Sequence, residues 1–373
     1  MSFTIKFDTS NSGVLEECIH IQIVTANAGA WDFSTNSWNT TSTLDEAPST
    51  TIDKIGNSGV TLTDFTGGGE IYISIGKATN ATYLGRGKYR SAIYNSLTWN
   101  GGNVFDKIEF GGDAGSIVNQ SAVAFYSLPL YFEIIGTGST AGYINSRKGI
   151  ADDFDKLMVG SPWKDLVVKD GSGTHTIGVL NPAAGFTSEF GPNSTFLDAA
   201  IKAALPVSST LYVGTNKISK KFVQTFSTDA NGKITSTDSG DTAEIDLACF
   251  TTFAVLTNAP QSPAPKNVGK YNLFGAICAQ ILRGLSFENN DPAFFKNLAE
   301  FPFTNDPFAG VLHNAANSQD GLAYAMGFDD TGAKDFSSSL PRPAGDGIKI
   351  TLGDCSDLNS VLNLTQTETA KAE

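Results

Sequence analysis

The run Gly67-Gly68-Gly69-Glu70-Ile71-Tyr72-Ile73-Ser74-Ile75-Gly76 opens on a glycine turn and continues as a β-branched, aromatic segment, so it reads as a strand entered through a tight turn. Working outward, Phe3, Ile5 and Phe7 alternate with polar residues, and Ile19, Ile21 and Ile23 repeat that alternation. A period of two places every second side chain on one sheet face. The segment Val123 to Ile135 is long and apolar but interrupted by Pro129, which predicts a bulged or bent strand. The Ser/Thr/Asn-rich stretch Ser34 to Thr51 reads as a long polar loop.

The middle of the chain changes character. Phe154, Leu157 and Met158 recur at helical spacing within 151–158. Ser194 or Thr195 is placed to cap a helix carrying Leu197, Ile201, Ala204 and Leu205, which Pro206 stops. A further helix is predicted from about Val268 to Arg283, ended by Gly284, and a short one opens at Asp291-Pro292. Strand patterns return at Leu322 to Phe328 and Ile348 to Leu352. The fold class implied is mostly β with α/β. Residues 1–145 and 320–373 form one barrel-like lobe, and residues 146–319 form a mixed α/β lobe. At 373 residues the chain exceeds what one ordinary core organises, consistent with two parts.

The formal net charge of −13 disfavours nucleic acid and anionic membranes as partners, because both reward basic patches. The one basic concentration, Arg86-Gly87-Lys88-Tyr89-Arg90, reads as a solvated turn. Cys18, Cys249, Cys278 and Cys355 are scattered without a CxxC pair, which predicts free thiols and no cysteine-type zinc site. Neither a signal peptide nor a membrane-length apolar run is visible. The expectation is a cytoplasmic protein as written, or a secreted one if a leader had been removed.

Chemistry-bearing residues are sparse. His20, His175 and His313 lie in no metal-binding frame, and no GxSxG elbow, P-loop or dinucleotide fingerprint occurs. No cofactor is implied. What remains is a carboxylate cluster, Asp106, Glu109 and Asp113, within Val104 to Ser116. Sugar hydrolysis uses two such groups, one to protonate the departing oxygen and one to activate water.

Several stretches in series carry a resemblance. They are Phe3-Thr4-Ile5 with Ser10-Asn11-Ser12-Gly13; Gly69-Glu70-Ile71-Tyr72-Ile73-Ser74; Glu109-Phe110 with Asp113-Ala114-Gly115 and Asn119-Gln120-Ser121; Lys148 to Trp163; and Ala323 to Asp330, ending Phe328-Asp329-Asp330. This order resembles glycoside hydrolase family 64, β-1,3-glucanases with a thaumatin-like barrel lobe, a mixed α/β lobe and a wide groove between them. The family's strand reads Gly-Arg-Ile-Tyr-Phe-Ser, so Glu70 stands at its Arg.

The resemblance implies Glu109 as general acid, Asp113 as a weaker catalytic candidate, and Asn119 and Ser121 as substrate-binding. The general base position, however, reads Ala124. A stacking Trp position reads Ile117, and the Thr and Asn positions after the acid read Gly111 and Gly112. An alanine accepts no proton from water, so the expectation is a glucanase-like protein that is catalytically impaired, with a residual glucan-binding, lectin-like or structural role. Two alternatives stand beside it. One is an active inverting endo-β-1,3-glucanase using Glu109 with Asp106 or Asp113 as base. The other is a self-assembling intracellular structural protein.

Overall fold

The computed structural model describes residues 2–39, 45–79, 81–83, 89–90, 104–111, 117–158, 162–185, 195, 197–205, 210–212, 225–236, 243–257, 273–284, 303, 305–326, 329, 337–341 and 347–364. The basic turn 86–88, the Pro-rich segment 259–265, the helix predicted at Asp291-Pro292, and Gly112, Asp113, Phe328 and Asp330 lie outside them.

Two sheets dominate. The first has five strands in the order Thr140–Gly142, Leu130–Ile134, Ile348–Leu352, Ser2–Asp8, Val60–Thr63. Its centre is a parallel pairing of the first strand with the last, Ile5 against Ile348 and Phe7 against Ile350. Strand 348–352 is thus flanked by Ser2–Asp8 and Leu130–Ile134, and the C-terminal strand pattern packs against the N-terminal one. At one edge, Gly142 has φ +118, and a Cβ there would lie 2.4 Å from the Leu130 carbonyl oxygen. Only glycine lets these two strands approach so closely.

The second sheet runs Leu340–Pro341, Ile117–Gln120, Val104–Gly111, Gly68–Ile75, Ile19–Thr25, Gly29–Asp32, Ser37–Asn39, with Thr50–Thr51 also paired to Ile19–Thr25. Its inner face is the alternating set the sequence displays: Ile19, Ile21, Ile23, Ile71, Ile73, Ile75, Ile108 and Phe110 are all buried. The sheets meet through stacked Phe3 and Phe110, 5.2 Å apart at their centroids, with Phe65 edge-on to Phe110 at 5.7 Å. Such burial is the dominant stabilising term, roughly 1.5–3 kcal/mol per large apolar side chain.

Smaller elements follow. Phe125–Tyr126, Thr176–Leu180 and Val167–Lys169 form a three-stranded sheet, so main-chain hydrogen bonding runs across residue 145. Helix Arg147–Met158 packs on helix Pro307–Leu312 through Phe154 and Phe308, whose ring centroids are 5.4 Å apart. Helix Leu273–Leu282 is closed by Gly284 at φ +76 and stacks Phe274 on Phe250. The described cysteines are all unpaired, and three of them are buried. No helix among the described residues is long and apolar enough to cross a membrane.

Several expectations need correction. The polar stretch Ser34 to Thr51 contains strands Ser37–Asn39, Asp45–Glu46 and Thr50–Thr51, because Ser and Thr serve at sheet edges. The apolar run 123–135 is two strands in different sheets, since the chain turns at Ser127–Pro129. Residues 322–326 form no strand beyond a single bridge from Tyr324 to Ser121. Leu157 faces solvent at 54% exposure, while Ile150, Phe154 and Met158 make the buried stripe. Helix Asp198–Ala204 begins after Leu197 with no side-chain cap; Thr195 contributes only its carbonyl, to the Asp198 amide.

Candidate functional site

Strand parity builds the site. On Val104–Gly111, residues 106, 108 and 110 turn inward, so Lys107 and Glu109 share the outer face. The register then sets partners: Glu109 lies opposite Glu70 on one side and Asn119 on the other, and Lys107 lies opposite Tyr72. One row across three strands therefore reads Asn119, Glu109, Glu70. Continuing the pairing of Ile117 with Pro341 and Val118 with Leu340 by one residue brings Ser339 beside Asn119.

Charges in this row are tied together. The Lys107 ammonium donates to Glu70 Oε1 at 2.6 Å and to Glu109 Oε1 at 2.9 Å. The Tyr72 hydroxyl donates to Glu70 Oε2. Lys107 and Glu70 are buried, whereas the Glu109 side chain keeps 34% exposure and is the accessible member. Burial alone would lower the Lys107 pKa, but the attraction of Glu70 and Glu109 outweighs it and holds the group above its usual range.

Asp106 is a different kind of group. It is completely buried on the inner face and accepts hydrogen bonds from the amides of Lys107 at 2.8 Å, Ser127 at 2.9 Å and Leu128 at 3.1 Å. Burial pushes its pKa up to about 7, against the pull of those amides and of Lys107. It pins the turn at Ser127–Leu128 and, facing away from Glu109, is not a substitute base on that face. This corrects the alternative that gave it that role.

The other residues singled out by sequence separate as follows. Asn119 is 4% exposed, and its Oδ1 has no hydrogen-bond partner; the Ser339 Oγ is likewise buried and unpartnered. Ser121 is buried and bridges to Tyr324. Ala124 is partly buried against the core, and its carbonyl accepts from the Asn181 amide at 2.9 Å. Ile117 is 48% exposed on the same strand face as Asn119, while Gly111 ends its strand.

Asp329 is buried within the closing turn. Its carboxylate accepts from the amides of Ala325 at 2.7 Å and Met326 at 2.9 Å and meets Arg283 and His313. That is turn and barrel structure. His313 is stacked on Phe303 with centroids 4.4 Å apart, and His175 sits with Asp170. Among the described residues, no group of three His, Cys, Asp or Glu is disposed to hold a metal.

Sequence reading missed Glu70, Lys107 and Ser339. The signals were present as the departure from the family's Arg at position 70 and the shared parity of 107 and 109. Their meeting depends on a pairing between strands 37 residues apart in the chain.

The family model for glycoside hydrolase 64, beta-1,3-glucanase, matches residues 14–352. The chain belongs to that family. As a glycoside hydrolase 64 member it is divergent. It is similar to a beta-1,3-glucanase domain from Clostridium beijerinckii at 17% identity and TM-score 0.67, covering 95% of this chain and 98% of that one. It is also similar to a laminaripentaose-producing beta-1,3-glucanase in complex with laminaritetraose, at 20% identity and TM-score 0.62, again covering 95% and 98%. A third similar structure is the laminaripentaose-producing enzyme from Paenibacillus barengoltzii complexed with laminarihexaose, at 16% identity and TM-score 0.60, covering 94% and 75%. At these identities the likeness is one of fold. A search of curated proteins finds no match.

Proposed function

We propose that this protein is a non-hydrolytic member of the glycoside hydrolase 64 family that retains saccharide binding on the Glu109 face. The reading takes residues 1–145 with 320–373 as a barrel lobe, 146–319 as a mixed lobe, and the groove between them as the ligand's place. The observation that carries it is the state of the acid pair. Glu109, at the general acid's position, shares one ammonium with Glu70, while the base position is the methyl group of Ala124.

An inverting glycosidase needs two carboxyls about 6.5–9.5 Å apart with water between them. The oxygens of Glu70 and Glu109 that contact Lys107 lie no farther apart than 2.6 and 2.9 Å allow together, and a cation occupies the space. Asp106 faces away. Exposed Ile117 offers no flat ring on which a sugar could stack. The family's β-1,3-glucan is the ligand class this reading carries over, because two similar structures hold laminaritetraose and laminarihexaose.

The test is release of reducing ends from laminarin together with retention on insoluble curdlan. We expect no release and measurable retention. Sustained turnover of laminarin by the unaltered protein overturns the non-hydrolytic reading, and failure to be retained overturns glucan binding.

A further inference from the structure

We propose that the row Ser339–Asn119–Glu109 accepts an amino-bearing saccharide, its hydroxyls meeting Asn119 and Ser339 and its ammonium meeting Glu109, in preference to a neutral one. This rests on reading the same face as a saccharide-binding surface and names the class of sugar it takes. Three observations combine. First, Glu70, Lys107 and Glu109 together leave one negative charge uncompensated, on the one member of the trio that solvent reaches. Second, Asn119 Oδ1 is an acceptor without a donor, in a side chain only 4% exposed. A buried polar atom left unpaired costs roughly 1–3 kcal/mol, which a ligand donor recovers. Third, the Ser339 Oγ, also buried and unpartnered, continues the same row.

The row is therefore rich in acceptors. A neutral glucan hydroxyl satisfies Asn119 equally well, but only a cationic donor uses the residual charge at Glu109, where charge-assisted hydrogen bonds are about twice as strong as neutral ones. Glu70 does not compete for the ligand, because Lys107 and Tyr72 already occupy its oxygens. Exposed Ile117 supplies an apolar edge without the ring platform that favours a neutral pyranose face.

The experiment is calorimetric titration of the full chain, at mildly acidic pH, with a glucosamine tetramer, its fully N-acetylated counterpart and laminaritetraose. The glucosamine tetramer should bind at least about tenfold more tightly than the N-acetylated one. Raised salt should shrink that preference. Glu109→Gln, isosteric and at a partly exposed position, should abolish the preference, while Asn119→Ala should weaken the glucosamine tetramer and laminaritetraose alike.

Equal binding of the two glucosamine-type tetramers, a salt-insensitive preference, or a preference that survives Glu109→Gln overturns the inference. If laminaritetraose alone binds, the amine preference is refuted and glucan binding stands. If none of the three binds, both fall.

Discussion

Glu109 and Glu70 stand directly opposite each other on adjacent antiparallel strands, and a single Lys107 ammonium donates to both. Like charges in that position repel, so the lysine is what allows the pair to exist. Removing it leaves Glu70 buried without its counter-ion. We expect Lys107→Ala to destabilise the fold by about 3–5 kcal/mol, read from urea denaturation. The double variant Lys107→Met with Glu70→Gln should recover most of that loss, because no unpaired buried charge remains. A Lys107→Ala protein as stable as the parent would show that the cluster is not electrostatically coupled.

The missing base is a separate matter from the occupied acid. Restoring a carboxylate with Ala124→Asp places an acid at the family position, but Lys107 still sits on Glu109. We expect no reducing sugar from laminarin with this variant. Activity regained by Ala124→Asp alone would mean that the Lys107 contact does not impair proton donation.

Asp106 and Asp306 make stability depend on pH in an unusual direction. Burial raises each to about 7 from an ordinary value near 3.8. Between those two pH values the unfolded chain is ionised while the folded chain keeps its proton, so the folded state binds more protons. Stability from these groups therefore falls as pH rises from about 4 to about 7 and then levels, by a few kcal/mol in all. Asp8, lowered to about 2 chiefly by its hydrogen bond from Lys349, acts oppositely and loses its contribution as pH falls from about 4 to 2. Thermal melting should thus show a higher midpoint near pH 5 than at pH 8. A midpoint that climbs steadily from pH 5 to pH 8 would contradict the assignment.

Arg147 joins three remote pieces of chain. It is 1% exposed and donates to the Asp357 carboxylate and to the carbonyls of Thr176 and Ile177, the latter at 2.8 Å. We expect Arg147→Met to cost about 3 kcal/mol or more, since it strands a carboxylate and two carbonyls. Chemical denaturation measures it. Loss of protection at the amides of residues 355–362 in hydrogen exchange would localise the damage.

How much of this was legible beforehand varies by element. The inward set Ile19, Ile21, Ile23, Ile71, Ile73 and Ile75 announced itself through its period, because burial on one face leaves a repeat of two. Glu109 and Ala124 were found through a motif match, and the same match pointed to Asn119. What the match could not rank was Asp106 against Glu109: three residues apart, they face opposite sides of one strand. The run 123–135 misled because hydrophobicity does not say which of two sheets a strand joins, and the turn at Ser127–Pro129 is fixed by Asp106 from another strand.

By itself, the amino-acid sequence determined that the chain is β-rich, that its first and last strand patterns share one class, and that the family's general base is replaced by a methyl group. Those are properties of period and identity, which local chemistry writes directly into the order of residues. Only the tertiary structure decided that Glu70 faces Glu109 across a shared lysine, and that Asn119 and Ser339 each lie in the same row with an unpartnered atom. These facts depend on strand register. Register is settled by burying one whole face of a sheet at once, so no single residue carries it.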